Sequence, residues 1–202
     1  FQNCRALTEI HIPDSVTLLE GSYYGGIFEG CSVLKRVDLP PNISSIPEKM
    51  FQGCIALESV EIPSGVITIG NHAFNDCHSL ESVDIPDGVI SIGSEVFKNC
   101  YSLKEVQLPE TLSNLGGNTF SNCSALKSIE IPGNVNSVND FEDCYSLESV
   151  IIHEGVKGVD GFIGCSSLKS ITIPGSVISL GEVAFLDCTS LEEVEIQEGV
   201  TE

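Results

Sequence analysis

Nine cysteines, four histidines and 29 carboxylates are the side chains of this 202-residue chain that could bind a metal, form disulfides or exchange protons. The cysteines stand at 4, 31, 54, 77, 100, 123, 144, 165 and 188, at intervals of 27, 23, 23, 23, 23, 21, 21 and 23. A structural zinc site needs closely spaced pairs such as C-x-x-C. None exists, and His11, His72, His78 and His153 share no column with one another, so no metal site is expected. In a stack of coils, neighbouring cysteines would approach within disulfide range while their side chains point the same way, which is poor bonding geometry. The spacing therefore predicts a reduced, buried ladder in which cysteine acts as a small hydrophobe. Such a ladder suits a reducing or anaerobic setting, and an intracellular home is equally permitted.

The carboxylates concentrate in one register. Seven residues after each cysteine the chain reads His11, Asp38, Glu61, Asp84, Gln107, Glu130, Ile151, Thr172 and Glu195. On adjacent strands Asp38, Glu61 and Asp84 would lie close enough to repel one another or to gather Ca²⁺. The neighbouring column of Lys35, Glu58, Glu81, Lys104 and Lys127 supplies charges of both signs, which favours a solvated acidic face, and no G-G-x-G-x-D calcium repeat is present. Paired carboxylates do acid and base work only where surroundings push their pKa values apart, and a regular sheet face offers no such asymmetry. The chain also lacks a G-x-S-x-G elbow, a glycine-rich phosphate loop and an H-E-x-x-H helix. The expectation is a protein that is not an enzyme and takes no cofactor. Asp38, Glu61, Asp84 and Glu130 are the candidate binding residues for a basic partner.

What positions those residues is a repeat. All nine phenylalanines lie three residues before a cysteine, and all nine cysteines are followed three residues later by leucine. Phe51, Cys54 and Leu57, then Phe74, Cys77 and Leu80, then Phe97, Cys100 and Leu103 show the element in consecutive units. Aliphatic residues follow at six and eight residues after each cysteine, such as Val83 and Ile85, the alternation of a short strand with one face buried. Proline ends the strand in seven of nine repeats, with His153 and Gln197 in the others, because proline donates no ladder hydrogen bond. A turn pair such as Asp87-Gly88 and an aliphatic pair three apart, such as Val89 and Ile92, bring the chain back. The residue before each cysteine is always Asn, Asp or Gly, the types that tolerate a left-handed backbone, so each coil should close at the same corner. No single unit can bury its apolar face alone, so the coils must stack and their strands must form a parallel sheet.

The unit C-x-x-L-x-x-[IV]-x-[IL]-P-x-x-V-x-x-[IL]-G-x-x-A-F-x-x-C, clearest from Cys54 to Cys77, resembles the repeat of the BspA-like leucine-rich-repeat (LRR_5 type) surface protein family, and the likeness runs from Phe1 to Glu202. The resemblance implies a leucine-rich-repeat solenoid: a right-handed coil with one parallel β-sheet on its concave face and short turns or irregular and 3-10 segments on the return side. It also implies a surface protein of host-associated bacteria or mucosal protists, some of whose relatives bind extracellular-matrix or host proteins. Residues 1–202 then form one domain of about nine repeats of 21–27 residues, a fragment of a longer protein.

Three places depart from the period. Extra residues between Cys4 and Cys31, around Glu20 to Gly26, place Tyr23 and Tyr24 in a protruding loop, a second candidate contact. The repeats ending at Cys144 and Cys165 are two residues short, which should alter local curvature. A net charge of −20 argues against nucleic acid and anionic membrane surfaces, both of which would be repelled. No apolar run reaches the ~18 residues of a membrane span, so direct membrane insertion is not expected. The sequence thus predicts a non-enzymatic protein-binding module, part of a cell-surface or secreted adhesin. Its partner would be a host or matrix protein or another copy of itself. The alternative is a structural spacer or self-assembling fibre built by end-to-end stacking.

Overall fold

A computed structural model of the chain describes residues 1–21 and 25–200. It is a parallel β-solenoid of about eight turns, with no helix among the described residues. The first strand of each coil begins five residues after its cysteine, at the place the alternation predicts. These strands are β1 (Glu9–His11), β2 (Arg36–Asp38), β4 (Ser59–Glu61), β6 (Ser82–Asp84), β8 (Glu105–Gln107), β10 (Ser128–Ile131), β12 (Ser149–Ile152), β14 (Ser170–Ile173) and β16 (Glu193–Ile196). Every pairing is parallel and in strict register, with Val60 opposite Val83 opposite Val106 and Ile129 opposite Val150. In β1 through β14 of this face the residue six after each cysteine points inward, with exposed or half-exposed residues on either side, while the terminal β16 is exposed throughout.

The return side is more ordered than short turns and irregular segments. It carries a second parallel ladder of two- and three-residue strands: β3 (Ser45–Ile46), β5 (Thr68–Ile69), β7 (Ser91–Ile92) and β9 (Asn114–Leu115), then β11 (Ser137–Asn139), β13 (Gly158–Asp160) and β15 (Ser179–Leu180). Each places an aliphatic side chain inward beside a small or polar one outward, as in Thr68-Ile69. Two residues are too few for an alternation to register in sequence.

Between the ladders lies one continuous apolar core built from columns. The rings from Phe1 through Phe185 form an unbroken stack with centroids 5.2–5.7 Å apart and planes within 2–18° of parallel. The seven rings from Phe28 to Phe162 are fully buried. Offset stacking of this kind contributes about 0.5–1.5 kcal/mol per pair beyond area burial.

All nine cysteines are free thiols, and burial pushes those of Cys54 and Cys165 up to about 12. Each of the eight from Cys31 onward donates its Sγ–H to the phenylalanine carbonyl of the coil before, as in Cys77 to Phe51 at 3.2 Å. The same carbonyl accepts the backbone N–H of its own coil's cysteine, Cys54 to Phe51 at 3.0 Å. Both lone pairs of a buried carbonyl are satisfied in this way, which a valine or alanine in the column would not achieve.

The corner before each cysteine is left-handed at all nine positions, with φ between 58° and 74° from Asn3 to Asp187. A second left-handed column stands two residues before the phenylalanine, at Lys49, His72, Glu95 and Asn118, with φ of 56–60°. Close approach of coils explains the glycine that follows the return strand: a Cβ on Gly116 would lie 2.4 Å from the backbone of Gly93.

Candidate functional site

The phenylalanine, cysteine and leucine columns are uniform, whereas the outward strand face differs in chemistry from coil to coil. His11, Asp38, Glu61, Asp84, Gln107, Glu130, Ile151, Thr172 and Glu195 occupy it in the order the spacing predicts. Glu61 and Asp84 are direct register partners, and Asp84 pairs in turn with Gln107. Asp38 belongs to the preceding hydrogen-bonded pair, opposite His11, so the three carboxylates do not share one ladder. Asp38 is partnered: Arg36 Nε donates to Oδ1 at 3.0 Å and His11 Nδ1 lies 3.7 Å from Oδ2. Glu130 shares a short hydrogen bond with His153. The flanking column does carry both signs, with Lys35 3.1 Å from Glu58 and Lys104 2.8 Å from Glu81. These exposed pairs contribute little to stability, of order 0–1 kcal/mol each, and leave a solvated acidic face.

Of the grooves that cross this face, two bear on the candidate residues beyond the first pair of strands. One, of about 460 Å³, is bordered by His11, Asp14, Asp38 and Glu61. The other, of about 770 Å³, lies across β8, β10 and β12; its walls include Val106, Ile129 and Ile151 together with Asp87, Glu110 and Glu130. Asp84 lines neither groove and stands between them through its register with Glu61 and Gln107. Tyr23 and Tyr24 lie outside the described residues. Asp87 and Glu110 were not singled out by the repeat. They follow Pro86 and Pro109 in adjacent coils, and that shared turn position was the available signal.

The larger groove sits at a discontinuity. Neither β8 and β10 on the strand face nor β9 and β11 on the return side are joined as ladder neighbours, so both ladders break at one coil junction; the strand-face ladder is also interrupted between β2 and β4 and between β12 and β14. This is where the repeat shortens from 23 to 21 residues. The interior is repaired there by a polar pair in the column that elsewhere holds Ala73 and Val96. Buried Asp140 accepts the backbone N–H groups of Thr119 and Asn139, each at 3.1 Å, and the single proton of the Thr119 hydroxyl is shared between the carbonyls of Gly116 and Gly93, the latter at 3.1 Å. Burial raises the Asp140 carboxyl from 3.8 to about 6, against the two N–H donors, which pull it down. Nothing in the repeat register foretold a buried carboxylate.

Each histidine lies beside a carboxylate, His72 with Glu95 at 3.5 Å and His78 with Asp76 at 3.9 Å completing the set. These pairs are spread over different columns and converge on no common point. Among the described residues no group of three His, Cys, Asp or Glu side chains is placed to hold a metal ion, and no helix is long and apolar enough to cross a membrane.

A columned interior of Phe, Cys and Leu with left-handed Asn, Asp or Gly at every corner matches one repeat family. The profile of the BspA type leucine rich repeat region matches in six copies, over residues 1–89, 44–161 and 158–202. The chain belongs to the BspA-type leucine-rich-repeat family. Among solved structures, this BspA-type chain is similar to a leucine-rich repeat protein from Bacteroides ovatus ATCC 8483, with 32% identity and a TM-score of 0.72, over 99% of this chain and 63% of that one. It is similar to the T. pallidum leucine rich repeat protein at 28% identity and a TM-score of 0.70, over 92% of this chain and 78% of the other. A leucine rich cell surface protein from Faecalibacterium prausnitzii A2-165 aligns at 28% identity with a TM-score of 0.60, covering 96% of this chain and 61% of that protein. No curated protein matches. The chain thus spans less than two thirds of the Bacteroides protein's length.

Proposed function

We propose that this BspA-type solenoid is a non-enzymatic protein-binding module, part of a cell-surface or secreted adhesin that engages host or extracellular-matrix proteins across its strand face. One observation carries the reading. Inside, the phenylalanine, cysteine and leucine columns do not vary from coil to coil, while the outward column changes from His to Asp, Glu, Gln, Ile and Thr over the same coils. Invariance inside is what stacking requires; variety outside is what recognition of an extended partner uses. The family supports protein interaction in general, and a relative described as a cell surface protein supports the location. The net charge of −20 favours basic partners.

The test is surface plasmon resonance against a panel of purified matrix and serum proteins, using the chain and a variant with Asp38, Glu61, Asp84 and Glu130 each changed to Lys. Binding to a basic member of the panel that disappears in the variant supports the reading, and unchanged affinity removes it. A second reading, the structural spacer or self-assembling fibre, is favoured by the uninterrupted phenylalanine stack, which stiffens the solenoid along its length. Electron microscopy at physiological salt separates the two: ordered fibres support the spacer, and single short arcs support the binding module.

A further inference from the structure

The groove over β8, β10 and β12 differs from the rest of the strand face in three independent ways. It lies at the coil junction where both hydrogen-bonded ladders are interrupted. It is the place where the outward column, polar in every earlier coil, turns apolar: Ile151 is 52% exposed, next to Glu130 in the register. Its border carries the carboxylates of Asp87, Glu110 and Glu130 and, among the described residues, no lysine or arginine.

We propose that this groove docks an extended segment of a partner protein in which a lysine or arginine stands within one or two residues of an aliphatic side chain. The proposal rests on the reading of the strand face as a protein-binding surface and names the chemistry that the face selects. An exposed isoleucine on the β12 wall of a concave site, with Glu130 beside it in the register, gains from an apolar side chain that covers it. Three carboxylates along the groove, Glu130 beside Ile151 and hydrogen-bonded to His153, then Glu110 and Asp87 in the turns of the preceding coils, with no lysine or arginine in the lining, select a positive neighbour and disfavour acidic segments, anionic lipid and nucleic acid. Crossing three strands at about 4.8 Å spacing covers roughly 10 Å, which an extended chain spans in about three residues. A short motif is therefore enough to fill the site.

The probe is a synthetic octapeptide, Gly-Ser-Lys-Ile-Arg-Leu-Ser-Gly, with two controls. In one control both basic residues become Glu, and in the other both aliphatic residues become Ser. Each is titrated into the chain labelled with ¹³C at its isoleucine δ1 methyls. The basic aliphatic peptide is expected to shift the Ile151 and Ile129 methyls and to leave those of Ile67 and Ile90 unmoved. Both controls, and an Asp87→Lys/Glu110→Lys variant titrated with the first peptide, should bind about tenfold more weakly or worse. Both substituted residues are exposed, and the unshifted methyls of the interior report that the variant is folded. A basic aliphatic peptide that leaves Ile151 unmoved at millimolar concentration overturns the proposal, as does equal binding of the acidic control. Binding to a matrix protein that is lost on reversal of Asp38, Glu61, Asp84 and Glu130 but kept in the Asp87→Lys/Glu110→Lys variant overturns the groove alone. Binding kept in both variants overturns the strand-face reading as well.

Discussion

Replacing Asp140 by asparagine isolates the one buried carboxylate among the described residues. The native carboxyl is raised to about 6 by burial, while in the unfolded chain it returns to its ordinary 3.8. The folded state therefore binds this proton more tightly than the unfolded one. Its contribution to stability is fully present below pH 3.8 and is lost as pH rises through about 6. With those two values, the wild-type chain should gain about 1 kcal/mol between pH 7 and pH 5, and about 2 kcal/mol by pH 4. The asparagine variant has no such proton to bind. Its amide also turns an NH₂ toward either the Thr119 or the Asn139 N–H, at a cost of about 1–3 kcal/mol for the unsatisfied donor. The assay is urea unfolding of both chains at pH 7, 6, 5 and 4, taking the difference at each pH so that the shared effect of the other carboxylates cancels. Wild type should pull ahead of the variant steadily as pH falls. Parallel curves, or a variant that gains on wild type at low pH, would refute the assignment of a buried, proton-binding Asp140.

Phe97→Ala, in the middle of the ring stack, should cost about 3–5 kcal/mol, read from the urea midpoint, because the coils on either side fix the cavity open. A cost below about 1 kcal/mol would mean that the stack is not tightly packed. In the native chain at pH 8 the interior cysteines should react with 5,5′-dithiobis(2-nitrobenzoate) far more slowly than in guanidinium, since Cys54 and Cys165 are pushed up to about 12 and are sequestered. Rapid reaction of all nine without denaturant would contradict the buried ladder. Lys49→Gly relieves a left-handed non-glycine corner and should raise stability by about 0.5–1 kcal/mol, the relief of strain being partly offset by glycine's unfolded-state entropy. Destabilisation in thermal unfolding would show that the Lys49 side chain contributes more than its backbone costs.

The stack was legible in the sequence because its constraints repeat. Phe51, Cys54 and Leu57 recur at one spacing, and the Asn, Asp or Gly before each cysteine announces the left-handed corner found at all nine positions. The second left-handed column was not legible, because Lys49, His72 and Glu95 are residue types that rarely adopt that backbone and so give no signal. The return ladder was hidden by the brevity of its strands. The role of cysteine was only half visible: spacing indicated a buried small side chain, but the bond from each thiol to the phenylalanine carbonyl of the coil before depends on how coils superpose. On the strand face, sequence placed Asp38, Glu61, Asp84 and Glu130 correctly in one column. It could not see that Arg36 and His153 occupy two of them, or that Asp87 and Glu110 border the same groove as Glu130. The two-residue shortening was visible as a change of period, while the buried Asp140 that stands at that junction is a property of packing.

If the outward strand face is where this solenoid meets its partner, the carboxylates of that face report it directly. The chain would be labelled with carbodiimide and glycine ethyl ester, free and saturated with the matrix protein that it binds most tightly, and read by mass spectrometry. Asp38, Glu61, Asp84 and Glu130 should be protected in the complex while Glu48, Glu95 and Glu182 on the return side label as in the free chain. Protection of the return-side residues with the strand-face four unchanged would contradict the claim.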